Sequence, residues 1–300
     1  MKVARIDHEG APRAALVEPD GVRVLAPEVG VLDVLADPSL AAGELVSEPR
    51  FLAPIEPRTI RDFSVFEQHI GGVVKTAGPD TPVPAVWYAS PFCYFSNPHA
   101  VTGPGDAIAI PPGCVDLDLE LELAAVIGRS GRDLAPDEAE GWIAGYTIFN
   151  DWSARDLQRH ELALGLGFCK AKDFANTLGP WIVTPDELEP FRQGDRLDLR
   201  MTAVINGAEL GSDTAASMAW SWGELVSYAS RGTWIRPGDV LGSGTCGGGC
   251  LLEMWGRHGR DGYPPLQPGD TVALRIDGIG TLENTIVAGA DVIELPRART

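Results

Sequence analysis

Apolar and polar positions change period several times along the chain, and each period predicts an element. The clearest run is Val115–Ile127, VDLDLELELAAVI, in which Asp116, Asp118, Glu120 and Glu122 alternate with Leu117, Leu119, Leu121 and Leu123. Successive side chains of a strand face opposite sides, so this period predicts a strand with one apolar face and one carboxylate face. Same-face neighbours stand roughly 7 Å apart, and Asp and Glu are poor strand formers. Such a face is either wet or holds a cation. Carboxylate oxygens suit hard divalent ions such as Mg²⁺, Mn²⁺ and Ca²⁺.

Shorter patterns fill the rest. Met1–Leu25 predicts small strands with turns at Glu9-Gly10 and Pro19-Asp20-Gly21, and VLDVLAD within Gly30–Leu45 predicts a short helix. Pro49, Pro54 and Pro57 then interrupt the chain. They predict a small N-terminal module, residues 1–55, and a larger domain, residues 56–300. Thr59–Gly72 predicts a strand end and a short helix that carries His69 and is stopped by Gly71-Gly72. Val86–Phe95 is aromatic, suited to core or pocket wall. Ile143–Phe149 predicts a strand running into Asp151, which is placed to be a helix cap or a ligand. Met218–Ser230 predicts a helix. Leu251–Trp255 reads as an apolar strand with Glu253 inside it, a costly place for a carboxylate unless it is paired. Many short strands punctuated by Gly and Pro, with few helices, predict a β-rich α+β fold.

Composition narrows the function. A formal net charge of −18 excludes nucleic acid and an anionic membrane surface as partners. No apolar run reaches the roughly 18 residues of a membrane-spanning helix. Five Cys, an odd number without a CxxC pair, and no leader-like stretch at Met1 predict free thiols in a reducing cytoplasm. Leu241–Cys250 is rich in Gly but lacks the Gly-Lys-Ser/Thr ending of a phosphate loop, and no Gly-x-Ser-x-Gly elbow occurs.

Five ordered motifs go further. They are Glu120-Leu121-Glu122-Leu123 through Gly128; Asn150 to Gln158 (NDWSARDLQ); Lys172 to Trp181 (KDFANTLGPW); Gly242 to Thr245 (GSGT); and Gly278 to Asn284 (GIGTLEN). In these, from about Thr59 to about Val287, the chain resembles the fumarylacetoacetate hydrolase family. The resemblance implies a mixed β-sandwich roll, a homodimer, and a divalent metal ion (Mg²⁺, Mn²⁺ or Ca²⁺) on Glu120, Glu122 and Asp151. Asp62 stands seven residues before His69, as in the fumarylacetoacetases, which makes it a fourth ligand. The same resemblance makes His69 and Glu253 a water-activating pair and Lys172 a catalytic group. It puts Gln158, Thr245 and Arg155 on the substrate, with Tyr88 replacing lost polar contacts. Leu162 stands where the family has a tyrosine, and the region of Gly78 and Lys75 lacks its arginine. Asp116 and Asp118 are left as solvated or loop-facing acids. The activity implied is metal-assisted hydrolysis of a carbon–carbon bond in a β-diketone or acylpyruvate-type acid, a small-molecule dicarbonyl substrate. Decarboxylation, hydration or isomerisation of a 2-keto acid on the same site is the alternative, and a non-catalytic metal-dependent binding protein is a third.

Overall fold

A computed structural model describes residues 1–40 and 43–299. Its frame is a twelve-stranded sheet among the described residues. The central order is Lys2–His8, Asn176–Val183, Ile143–Asp151, Leu121–Ile127, Val240–Gly242, Ile60–Phe63 and Cys93–Ser96. Most pairings are antiparallel, but Val240–Gly242 runs parallel to Ile60–Phe63, with Gly242 beside Asp62. A five-stranded sheet faces it, in the order Ala208–Thr214, Arg200–Ile205, Thr271–Ile276, Gly280–Val287 and Ala107–Ala109. The fold is therefore α+β and β-rich.

The strand at the centre departs from its expected form. The alternating run does not make one strand. Leu117–Asp118 pairs with Ser153–Ala154, and a second strand, Leu121–Ile127, begins after Leu119 and Glu120. Nor is the acidic face wet. Leu121, Leu123, Ala125 and Ile127 pack with Met201, Ala203, Leu274 and Leu282 of the second sheet. Ala124 and Val126, on the face that carries Glu122, pack with Val3, Val31, Val34 and Phe149. Leu117, Leu119, Leu121 and Leu123 are each 1% exposed or less. Burying each is worth about 1.5–3 kcal/mol, which helps offset the cost of bringing the acids along.

The N-terminal strands continue the main sheet, because Lys2 and Val3 pair with Val183 and Ile182 at the edge of Asn176–Val183. Two further elements differ from the sequence reading. The helix Glu67–Val73 runs through Gly71-Gly72 instead of stopping there. Leu251–His258 is a helix, so Glu253 stands in a first helical turn. A short apolar run does not distinguish strand from helix. Here Cys250 caps the helix, its Sγ accepting the Glu253 N–H at 3.4 Å.

Candidate active site

Four carboxylates meet at one end of adjacent strands. Asp62 comes from Ile60–Phe63, Asp151 is the last residue of Ile143–Asp151, Glu122 lies in Leu121–Ile127 and Glu120 just precedes it. Each offers an oxygen, and the four oxygens lie within 4.8 Å of one another, all buried. The strand Val240–Gly242 passes between two of these strands without a side chain in the way. A Cβ on Gly242 would stand 2.4 Å from Asp62 Oδ1 and 2.8 Å from Glu122 Oε2. Gly244, at φ +79°, turns its N–H into the cluster and donates to Asp62 Oδ1 at 3.2 Å and Glu122 Oε2 at 3.0 Å. Glycine adopts that conformation without strain.

The charges do not balance. Lys172 Nζ lies 2.5 Å from both Glu120 Oε2 and Asp151 Oδ2. Arg155 donates to Glu120 Oε1 at 2.6 Å but is shared with Asp118. Four carboxylates thus face one ammonium and one shared guanidinium. Two of their buried oxygens, Glu122 Oε1 and Asp151 Oδ1, have no hydrogen-bond partner. Burial pushes Asp151 up to about 8, against the opposing pull of Lys172. Burial also raises Asp62, and it raises Glu122 further with the help of neighbouring Asp62. Burial would raise Glu120 as well, but the charges of Lys172 and Arg155 outweigh it and hold that carboxyl below its usual range. Orphaned oxygens on a cluster short of positive charge fit an oxygen-loving divalent cation.

Tyr94 completes this half. Its hydroxyl donates to Asp62 Oδ2 at 2.6 Å and also to Asp151 Oδ2. Burial and the Asp151 charge hold the phenol protonated, well above its usual range, so it stays a donor. Tyr88, expected near substrate, lies elsewhere. It is half exposed and donates to Glu67 at 2.7 Å. The pairing of Asp62 with Tyr94 across two strands puts Tyr94, not Tyr88, in the site. Only the register could have shown this.

Asp118 departs from its expected place as a solvated or loop-facing acid. It is fully buried, and its Oδ1 accepts the N–H groups of Leu119 and Leu251 at 2.8 and 2.7 Å. Its Oδ2 accepts Leu252 N at 2.9 Å and Arg155 Nε at 2.8 Å. Arg155, 2% exposed, spends its remaining donors on Glu120 and on Gln158 Oε1, 3.2 Å away. Its geometry is that of a brace between Glu120 and Gln158. Asp116 is likewise buried, held by Arg159 and Arg260.

The other half is helical. His69 Nδ1 lies 3.3 Å from Glu253 Oε2, and Gly248 N donates to the same oxygen at 2.8 Å. Arg257 Nη2 lies 2.7 Å from Glu253 Oε1 as an ion pair without an aligned hydrogen bond. The two helices approach closely because they carry glycine. A Cβ on Gly72 would meet Glu253 Cγ at 2.3 Å, and one on Gly256 would meet Gly72 O at 2.1 Å. Cys250 Sγ is 3.8 Å from His69 Nδ1, and burial holds its thiol well above the usual range.

Both halves open on one cavity of about 700 Å³. Asp62, His69, Glu120, Glu122, Arg155, Gln158, Lys172 and Thr245 line it, with Tyr94, and Leu162 forms part of its wall. Asp151 and Glu253 stand directly behind this lining, in contact with Lys172 and His69. No helix among the described residues is long and apolar enough to cross a membrane.

The sequence model of the fumarylacetoacetate (FAA) hydrolase C-terminal family matches residues 58–287. The 2,4-didehydro-3-deoxy-L-rhamnonate hydrolase of Sphingomonas sp. is 30% identical over 292 residues, 94% of each chain. The oxaloacetate tautomerase of Bacillus subtilis is 31% identical over 245 residues, 80% of this chain and 74% of its own. Among solved structures, the fumarylacetoacetate hydrolase of the psychrophile Exiguobacterium antarcticum superposes with a TM-score of 0.76 at 29% identity, covering 96% of this chain and 99% of that one.

Proposed function

The chain belongs to the fumarylacetoacetate hydrolase family, with its mixed β-sandwich roll, and from that premise we propose that it is a metal-dependent hydrolase cleaving a carbon–carbon bond in an acylpyruvate-type acid. The observation that carries the reading is the His69–Glu253 pair, 3.3 Å apart, on the cavity that also holds the four carboxylates. Asp62, Glu120, Glu122 and Asp151 would hold one divalent ion. When bound, that ion supplies Lewis-acid polarisation of a dicarbonyl substrate.

The chain's own groups do the rest. Glu253 accepts a hydrogen bond from His69 Nδ1–H and fixes the ring, leaving Nε2 free as a base towards the cavity. His69 Nε2 takes a proton from water as the water oxygen attacks the carbonyl carbon, and Glu253 offsets the charge that His69 gains. The carbon–carbon bond then breaks, and its electron pair leaves as an enolate. Lys172 and Gln158 stabilise the charge that develops on oxygen. A preorganised donor of this kind contributes about 2.7–4 kcal/mol where an oxyanion develops. Arg155 holds Gln158 and Glu120 in place, and Thr245 meets the substrate carboxylate. The working unit is taken to be a homodimer.

The tautomerase relative favours a second reading, in which the same groups move a proton without attack by water. Turnover of acylpyruvates in ¹⁸O-water, followed by loss of enol absorbance and by mass, separates the two. Hydrolysis places one ¹⁸O in the carboxylate released from the acyl half. Enol loss without cleavage would replace hydrolysis by tautomerisation.

A further inference from the structure

The helix pair of the site is joined from outside the cavity. Arg257 stands one turn beyond Glu253 on the helix Leu251–His258. It lines a separate groove of about 570 Å³, with Gln68, Gly71, Lys75 and Ser217. Its Nη2 donates to Gln68 O at 2.7 Å and lies 2.7 Å from Glu253 Oε1. Gln68 precedes His69 on the helix Glu67–Val73. One nitrogen thus joins the helix of the base to the helix of its carboxylate. Glycine makes room for it, since a Cβ on Gly72 would stand 2.8 Å from Arg257 Nε as well as meeting Glu253. An i,i+4 ion pair on a solvated helix contributes little. This one differs, because Glu253 is fully buried and, among the described residues, has only Arg257 and His69 as ion-pair partners. Arg257 faces Oε1, while Gly248 N and His69 share Oε2. A carboxylate whose two oxygens are held from different sides keeps one orientation.

We propose that Arg257 is a positioning residue of the reaction. It holds Glu253 Oε1, which leaves Oε2 to orient His69, and it fastens the two helices at the separation the pair requires. The proposal rests on the reading of His69 and Glu253 as the water-activating pair. Arg257 stands outside the catalytic cavity, so its loss reaches the chemistry through Glu253 and not through contacts with substrate. Such a loss lowers kcat and leaves KM in place. The groove supplies a second handle. The Arg257 side chain is 28% exposed there, so a guanidinium ion from solvent can enter the space that Arg257→Ala vacates.

Steady-state kinetics on an acylpyruvate in Mg²⁺ test this. For Arg257→Ala, kcat should fall about tenfold to a hundredfold, less than the 10²–10⁴-fold that a general base itself contributes, with KM unchanged. Millimolar guanidinium chloride should restore part of kcat, where sodium chloride at the same concentration does not, and it should do nothing for Glu253→Gln. Arg257→Lys, which keeps a charged donor on a shorter arm, should retain more of kcat than Arg257→Ala, and it carries the same test if the alanine variant does not fold. Proton NMR supplies a readout without turnover. The His69 Nδ1–H resonance, identified by its absence from His69→Gln, should broaden or vanish in Arg257→Ala and return with guanidinium. Parental kcat in Arg257→Ala, a loss that falls on KM, a loss that guanidinium leaves untouched, or an unchanged Nδ1–H resonance would each overturn the proposal. Failure of the water-activating reading looks different. His69→Gln would then turn over as fast as the parent, while the resonance would still report whether Arg257 orders the pair.

Discussion

The two halves of the active site solve opposite electrostatic problems. On the strand side, four carboxylates crowd together with too few cations and two orphaned oxygens. On the helix side, Glu253 has His69, Arg257 and Gly248 N around it. The strand side is built with a deficit of positive charge that a divalent cation would fill. The helix side sets one carboxylate against a guanidinium and an imidazole, although Glu253 Oε1 lacks an aligned hydrogen bond. A site whose protein groups already balance can act on a proton, and one left short of charge is prepared for an ion.

The sharpest test of the contrast is His69→Ala. Turnover should fall about 10²–10⁴-fold, the usual range for a general base, while metal affinity measured by calorimetry stays near that of the parent. Near-normal turnover would remove the dyad from the mechanism. Glu122→Ala is the converse. It should weaken the metal by more than the roughly 100-fold ceiling seen for groups that only orient ligands, and retained metal affinity would sink the ligand assignment.

Asp118→Asn tests whether the halves are separable. Its carboxylate braces Arg155 on the strand side and accepts the Leu251 and Leu252 N–H groups at the start of the helix that carries Glu253. Metal affinity and kcat should both fall, each about tenfold to a hundredfold. A change in only one would show that Asp118 serves only that half.

The smallest expected effect is on stability. Asp62, Glu122 and Asp151 are raised, Asp151 to about 8. The folded metal-free chain therefore keeps protons that the unfolded chain releases near pH 4. Stability falls with pH wherever the folded state holds more protons. The melting temperature in EDTA should thus drop as pH rises from about 5 to 8, and Mg²⁺ should flatten or reverse the slope. A metal-free melting temperature that climbs through this window would contradict the protonated cluster.

Four of the five ordered motifs carry residues that line the cavity, among them Glu120, Glu122, Gln158, Lys172 and Thr245, whereas Gly278–Asn284 contributes none. Their settings were less legible. Glu253 stood out as a carboxylate in an apolar run, but five residues of Leu251–Trp255 carry too little periodicity to separate strand from helix. Asp118 shares the alternation of Glu120 and looks equivalent to it. What separates them is Arg155, 37 residues on, and the N-terminus of a helix more than a hundred residues on, which local pattern does not encode. Tyr94 was missed in favour of Tyr88 because strand register, not composition, decides which tyrosine faces Asp62. The solvated or loop-facing setting expected of Asp116 and Asp118 was an error of the same kind, since alternation cannot tell solvent from a protein interior.

The parallel seam between Ile60–Phe63 and Val240–Gly242 sets an order of events during synthesis. Gly244 N reaches Asp62 across 182 residues of chain, so the carboxylate cluster cannot close until most of the polypeptide has left the ribosome. Long-range parallel pairing is slow because loop closure must precede any reward. Until then Ile60–Phe63 and Leu121–Ile127 lack their shared neighbour and present unpaired edges. A nascent chain stalled before Val240 is the species that chaperones would meet.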